Sequence, residues 1–393
     1  MPGIKTGDDG KHLLTGATGF LGSHIMAGLL LKGKGVVIAG RPVGGKSLQA
    51  RIRELLNWFG IEHLEGLLEF HESDFLKIRL GLGKNKYESL GGRGLPIIHC
   101  ASDTRFAEKN RAQVMQSNVE SLNEILNFAC QSRARCFHLI SSAYAAGVDN
   151  IECPEAPVHA AHFNNVYEES KAQAENFVSA RCRSAGLPYT IIRPSIVYGD
   201  SLTGRSLRFN ALYFPVRSMQ QIRDIYLDEI KNHNGKKSAE CGIVLNGEGV
   251  LRLPIRIFIP HEGKINLIPV NYFTKAILSI LERPVNKAIY HVTSNHPESM
   301  ARLASYAERF LKISGIEVVI GTAAADKMRN PPEELFDHFI KAYRPYISDQ
   351  RIFKRKNTDR ATGGILPPAF SYEIFERCMA FAVSADWGKK LFC

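Results

Sequence analysis

The sequence predicts an α/β fold in which a doubly wound parallel sheet carries a smaller, mostly helical lobe. Three observations predict it. A short apolar strand, His12-Leu13-Leu14, runs into a turn with three glycines and then into an apolar helix through Ile25, Leu29 and Leu30. From residue 11 to 200, short apolar strands alternate with helical patterns, the rhythm of a parallel sheet covered on both faces. Beyond Asp200 the rhythm breaks, and it returns only between about 265 and 296.

The turn reads Thr15-Gly16-Ala17-Thr18-Gly19-Phe20-Leu21-Gly22, a G-x-x-G-x-x-G spacing rather than G-x-G-x-x-G. Glycines there let the backbone approach a pyrophosphate, and the helix that follows offers free N–H groups and a positive dipole end. The sheet is therefore expected to be of the Rossmann type. The second strand, Val36 to Ala39, ends at Gly40-Arg41, where an acidic residue would ordinarily take the adenosine ribose hydroxyls. An arginine suits a 2′-phosphate instead, and Arg51 on the next amphipathic helix supplies a second cation, which favours NADPH over NADH. Leu67 to Phe70 reads as the third strand, with Asp74 beyond it positioned for the adenine or, on the plainer reading, as a turn or cap residue.

Leu95 to Ala101 is a buried fourth strand whose small tip, Ala101-Ser102, lets the chain lie against a flat cofactor. His99 within it reads as structural. A helix is expected over 108–131, with Asn118 among apolar neighbours, either bracing the core or holding a water. The fifth strand, Cys136 to Ile140, delivers Ser141-Ser142 at its carboxyl end. The sixth, Tyr189 to Arg193, stops at Pro194. Between them lies a helix capped by Asn164 or Asn165 that carries Tyr167 and Lys171, four residues apart and so on one face. His159 and His162 on the preceding loop read as solvated. A helix over 207–231, a polar loop over 232–240 and apolar runs over 251–259 follow, and 297–393 reads as mostly helical. The expected organisation is a cofactor-binding domain from segments 11–200 and 265–296, and a substrate lobe from 201–264 and 297–393.

At 393 residues with 45% hydrophobic and 23% charged content, the chain has ordinary globular composition. Its eight cysteines have no C-x-x-C pair, which favours reduced thiols over disulfides or a metal site. The leader MPGIKTGDDGKH lacks an apolar core, and no apolar run reaches membrane-spanning length, so a cytoplasmic location is expected. A net charge of +11 favours anionic partners. No nucleic-acid motif accompanies the basic residues, so nucleic acid is not among them.

Together these pieces make a chemistry. A phenol is a poor acid–base group at neutral pH, but a neighbouring ammonium stabilises its anion, so Lys171 is expected to lower the pKa of Tyr167. Tyr167 would then protonate the oxygen of a carbonyl undergoing reduction, Ser142 would hydrogen-bond that oxygen, and Lys171 would bind the nicotinamide ribose while Asn118 holds a proton-relaying water.

The segments TGATGFLGSHI, SDFLKIRLGL, IIHCASDTRF, SNVESLNEIL, HLISSAYAAG, YEESKAQAE, IIRPSIVYGDSLTG and INLIPVNYFTKAI, in that order, resemble the extended short-chain dehydrogenase/reductases, and among them the thioester reductase and fatty acyl-CoA reductase branch with its male-sterility-type NAD-binding domain. The likeness covers about residues 11 to 295. It implies cofactor contacts at Thr15, Gly16, Thr18, Gly19, Phe20, Leu21, Gly22, Arg41, Arg51, Asp74, Phe75, Ala101, Ser102, Asn118, Tyr167, Lys171, Pro194 and Ile196. It implies catalytic roles for Ser142, Tyr167 and Lys171, supported by Asn118. Ser142 stands where the branch often has threonine, and Asn271 where it commonly has aspartate. The implied activity is NADPH-dependent reduction of an acyl thioester, on a carrier protein or coenzyme A, to an aldehyde, with the alcohol left open as an alternative end product. No carrier segment precedes residue 11, so the acyl group is expected to arrive on a separate partner. Two other readings stay open: a ketone, alcohol or nucleotide-sugar enzyme of the same extended family, and a cofactor-binding sensor without turnover.

Overall fold

The computed structural model describes residues 10–283, 288–321 and 329–392, so the first part of the polar leader and Cys393 lie outside the described residues. The chain forms two compact units. The first runs to Ser195 and also takes Val270–Thr293 and Phe353–Ile365; the second comprises Ile196–Pro269, Ser294–Ile352 and Leu366–Cys393.

The first unit is built on seven parallel strands. Its early elements are β1 (His12–Thr15), α1 (Phe20–Leu31), β2 (Val36–Gly40), α2 (Leu48–Phe59), β3 (Leu68–Glu72), α3 (Lys84–Gly91), β4 (Ile97–His99), α4 (Arg111–Met115), α5 (Leu122–Gln131), β5 (Phe137–Ile140) and α6 (Val166–Ser184). Strands Tyr189–Pro194 and Ala288–Val292 complete the sheet. Across the sheet the order is Ala288–Val292, Tyr189–Pro194, β5, β4, β1, β2, β3. The order reverses between β1 and β4, where Thr15 pairs with His99, and a doubly wound sheet opens its ligand crevice at the carboxyl ends of such a pair. The strands are buried because apolar residues run along them: Leu13, Val37, Ile97, Phe137 and Ile191 pack with Ile125 and Leu126 of α5 and Val178 of α6.

The helix expected over 108–131 is not continuous. Residues 116–120 form a turn of π-helix around Asn118, and Ser121 N–H reaches back to the Gln116 carbonyl at 3.0 Å. Such bulges cost backbone regularity and concentrate at functional sites. The segment Phe353–Ile365, expected in the lobe, belongs to the first unit. Glu155 anchors it by accepting from the N–H of Asn357 and from the N–H and hydroxyl of Thr358, while also accepting from His291 N–H at 2.9 Å.

The second unit has helices at Tyr213–Asn232, Met300–Leu311, Pro331–Ile340 and Tyr372–Ser384 around a strand, Leu251–Ile259, that the expectation of a mostly helical lobe left without partners. That strand pairs in parallel with Ile313–Ile320 and antiparallel with Val244–Leu245. Ile313–Ile320 escapes a helical reading because Lys312, in the left-handed region at φ 52, ends the preceding helix and turns straight into the strand. Ala211, at φ 46, stands before Tyr213 and keeps the helix expected from 207 from starting there. The polar stretch 232–240 contains a short helix, Lys236–Glu240.

Candidate active site

The glycine turn joins β1 to α1 at the sheet's reversal point. Gly16 has φ +72, and a Cβ on it would lie 2.5 Å from the Ala101 nitrogen, so only glycine lets the turn pass the tip of β4. A Cβ on Gly22 would fall 2.1 Å from the Gly16 oxygen. Gly19 caps α1 with no side-chain oxygen, and the first helical turn has no acidic residue, so the helix carries no carboxylate of its own at its positive end. These features fit a dinucleotide pyrophosphate. Thr18, Phe20 and Leu21 are half-buried along the turn. Thr15 differs from the implied contact: its hydroxyl is buried, accepts from the N–H groups of Cys100 and Ala101 at 3.2 and 3.3 Å, and pairs with His99 Nδ1 at 3.0 Å. It therefore fastens β1 to β4. Burial holds His99 neutral, its pKa lowered to about 3, with the ammonium of Lys171 acting in the same direction.

At the end of β2, Arg41 is exposed and Arg51 of α2 donates to the Arg41 carbonyl at 3.4 Å. Burial, followed by the like charge of Arg41, lowers the Arg51 pKa against the pull of Glu54. Two cations thus share one strand end, which is what a phosphate would neutralise. Asp74 makes a turn contact: one carboxylate oxygen accepts from Leu76 N–H at 3.1 Å, and Lys77 lies 3.8 Å from the other. Phe75 sits edge-on to His99, with ring centres 6.1 Å apart. Pro194 is buried at the end of its strand, paired with Val292, while Ile196 belongs to the second unit.

Ser142, Tyr167 and Lys171 do come together. Asn165 caps α6 by accepting from Glu168 N–H at 3.1 Å, which fixes the first helical turn and with it Tyr167. The Ser142 hydroxyl and the Tyr167 phenol are hydrogen-bonded to one another, and Lys171 Nζ lies 5.9 Å from the centre of the Tyr167 ring. The ammonium also donates to the Ile140 carbonyl at 3.0 Å, tying α6 to the carboxyl end of β5.

The electrostatics depart from expectation. Burial pushes the Tyr167 phenol above its ordinary value; the Ser142 hydrogen bond opposes this without overcoming it, and Cys100 and Glu168 push the same way as burial. Burial also lowers the Lys171 pKa to about 8, with Cys100 and Glu175 opposing. Without bound cofactor, burial is the largest influence on the phenol. The expected depression of Tyr167 by Lys171 is therefore absent from this geometry.

Asn118 takes the bracing role of its two readings. Its oxygen accepts from Asp103 N–H at 2.7 Å and Ser102 Oγ at 3.1 Å. Its amide donates to the Asp103 carbonyl at 2.8 Å and Ser170 Oγ at 2.9 Å. All four hydrogen-bonding positions of the amide are filled by protein, so a relaying water would have to use another group. The π turn is thereby pinned to the loop after β4 and to α6 beside Lys171. His159 and His162 are exposed, the latter paired with Asp149 at 2.7 Å.

Sequence reasoning missed the support beneath these residues. Glu175, one turn beyond Lys171, forms a buried ion pair with Arg193 at 2.6 Å and accepts from Ser141 Oγ at 2.5 Å. Arg193 also donates to His291 Nε2 at 3.1 Å, and His291 Nδ1 then donates to the Lys354 carbonyl at 2.8 Å. The available signal was the i+4 spacing from Lys171 to Glu175, together with an arginine inside an otherwise apolar strand.

A family model described as male sterility protein, of NAD-binding type, matches residues 14–277. The chain belongs to this family. It is thus a member of the NAD(P)-binding extended short-chain dehydrogenase/reductase class. Among its male-sterility-type relatives, fatty acyl-CoA reductase 2 of Homo sapiens is 26% identical over 328 residues, 72% of this chain and 58% of that protein. Fatty acyl-CoA reductase 1 of Gallus gallus is 32% identical over 73% of this chain and 58% of that protein. The nonribosomal peptide synthetase asaC of Aspergillus flavus is 25% identical over 76% of this chain. The chain spans only 27% of that synthetase and little more than half of the reductases. Among solved structures, the terminal R domain from the myxalamid PKS-NRPS pathway shares the fold with a TM-score of 0.72 at 21% identity, over 95% of this chain and 90% of that one. Among the described residues, no helix is long and apolar enough to cross a membrane.

Proposed function

We propose that this protein is an NADPH-dependent reductase that takes an acyl thioester, held on a carrier protein or coenzyme A, to the aldehyde, with the alcohol as the product of a second reduction. The observation that carries the reading is the Ser142 hydroxyl bonded to the Tyr167 phenol with Lys171 beneath the ring, on a sheet whose glycine turn fits a pyrophosphate. The reading is supported by relatives whose names include fatty acyl-CoA reductase and nonribosomal peptide synthetase.

When bound, the nicotinamide cofactor supplies a hydride to the thioester carbon. Gly16, Gly19 and Gly22 would cradle its pyrophosphate, and Arg41 and Arg51 its 2′-phosphate. As the carbonyl oxygen becomes negative, Ser142 donates a hydrogen bond to it and Tyr167 gives it the phenol proton. The raised pKa of Tyr167 keeps that proton in place until an oxyanion develops. Lys171, charged below about pH 8, stabilises the phenolate that remains. The hemithioacetal then expels its thiol and leaves the aldehyde. The net charge of +11 suits a phosphorylated or acidic thiol carrier.

The test incubates purified protein with NADPH and a panel of acyl-coenzyme A and acyl-carrier thioesters, following cofactor absorbance and free thiol together. One NADPH lost per thiol released is expected where the reaction stops at the aldehyde, and two per thiol where the aldehyde goes on to the alcohol. Turnover on ketones alone would favour the other extended-family reading, and binding without any turnover would favour the sensor. Tyr167→Phe should lower the rate by about 10²- to 10⁴-fold with NADPH affinity unchanged; a normal rate would remove Tyr167 as proton donor.

A further inference from the structure

Tyr167 is half-buried, and the stretch 100–107 between β4 and α4 reaches it without forming helix or strand. That stretch is nonetheless fixed in place. The Asn118 amide grips the backbone N–H and carbonyl of Asp103, at 2.7 and 2.8 Å. The Asp103 carboxylate in turn accepts from the Arg105 N–H and from its Nε, each at 3.0 Å, and the Arg105 guanidinium donates to the Asn110 side-chain oxygen at 3.4 Å. Thr104, Arg105 and Ala107 are exposed, whereas Phe106 is half-buried. Its ring meets the ring of Tyr167, with centres 5.8 Å apart and planes inclined by 38°, a separation at which aromatic pairs attract. The polar clamps around Phe106 thus set an apolar ring against the proton donor.

We propose that Phe106 is a positioning residue for the reduction: it holds the Tyr167 ring in one orientation and keeps water away from the phenol. The inference rests on the proposed function above and adds a residue to its machinery. Phe106 offers neither a proton nor a hydrogen bond, so it acts through Tyr167. Orientation matters because the phenol must stand within hydrogen-bond reach of the forming oxyanion. Water at the phenol would compete with Ser142 for it and with the oxyanion for its proton. Of the other groups that act on the phenol, Ser142 hydrogen-bonds it, Cys100 and Glu168 disfavour its anion, and the Lys171 ammonium lies 5.9 Å from the ring centre. Replacing Phe106 removes none of them, so a change at Tyr167 reports on the aromatic cover.

Acetylation of tyrosine by N-acetylimidazole, mapped by peptide mass on the full chain without cofactor and reversed by hydroxylamine, tests the cover independently of turnover. Tyr167 should react several-fold faster in Phe106→Ala than in the unaltered protein. Tyr189, buried on a strand of the same unit, is the control and should stay slow in both. With the thioester that the unaltered protein reduces, kcat should fall about two- to tenfold in Phe106→Ala, with KM and NADPH affinity unchanged, and Phe106→Tyr, which keeps the ring, should restore it. If Phe106→Ala does not fold, Phe106→Leu should give the same changes in smaller measure. Unchanged acetylation of Tyr167 in a folded variant, an equal gain at Tyr189, or a loss confined to KM overturns the proposal. Faster acetylation of Tyr167 in a protein that reduces no thioester sinks the proposed function and leaves the cover by Phe106 standing; thioester reduction with kcat unmoved in the variant does the reverse.

Discussion

Replacing Lys171 with methionine should make the protein more stable while destroying its activity. The Lys171 side chain is 4% exposed, and its pKa falls from the ordinary 10.5 to about 8 because burial strips water from the ammonium. Each pH unit of that displacement disfavours the charged form by about 1.4 kcal/mol, so near neutrality the buried charge costs about 3 kcal/mol. Methionine fills a similar volume without charge. It loses one hydrogen bond, to the Ile140 carbonyl, worth about 1 kcal/mol. A net gain of about 2 kcal/mol in unfolding free energy at pH 7 follows. Between pH 8 and 10.5 the unfolded chain binds the lysine proton and the folded chain does not, so the stability of the unaltered protein rises with pH through that window. The variant's advantage should therefore shrink as pH climbs from 8 towards 10.5. Urea unfolding of both proteins without cofactor, at neutral and alkaline pH, measures the difference. A variant less stable than its parent at pH 7, or a difference that ignores pH, would refute the argument from burial.

Other perturbations follow from the same geometry. Gly22→Ala would drive a Cβ to 2.1 Å from the Gly16 oxygen, so NADPH binding followed by fluorescence should weaken at least tenfold, with about 1 to 3 kcal/mol of stability lost; unchanged binding would mean that the turn adapts. Arg41→Ala should weaken NADPH about 10- to 100-fold and leave NADH nearly alone, as expected for the loss of a charge-assisted contact to a 2′-phosphate; equal losses on both cofactors would contradict that role. Glu175→Gln strands the buried Arg193 guanidinium and should cost about 3 to 5 kcal/mol. Because Glu175 raises the Lys171 pKa, the alkaline limb of the rate profile should also move to lower pH in that variant, and a fixed limb would show that the carboxylate does not reach Lys171.

The parallel sheet was legible because its signal is local: apolar strands punctuated by glycine, serine and proline at their carboxyl ends. Ser142, Tyr167 and Lys171 could be joined from sequence because each sits just beyond a strand or on the helix between two strands, and sheet order brings those ends together. The sign of the Tyr167 shift was not legible, since burial depends on what the whole chain packs above the phenol. Glu175 and Arg193 were opaque for a related reason: a polar residue in an apolar strand announces that it needs a partner without naming it. Ile313–Ile320 hid behind the helix before it, where one left-handed residue, Lys312, reverses the local preference.

The return of Phe353–Ile365 to the first unit bears on how the protein is made. Glu155 and His291 find partners in Lys354, Asn357 and Thr358 only after more than fifty further residues have been synthesised. During translation the cofactor-binding unit therefore waits, with an open carboxylate and a half-paired imidazole, while nearly all of the second unit is made. Cutting the chain after the last strand of the sheet would leave that wait permanent, and a fragment designed on sheet boundaries alone would emerge from the ribosome with its Arg193 network unfinished.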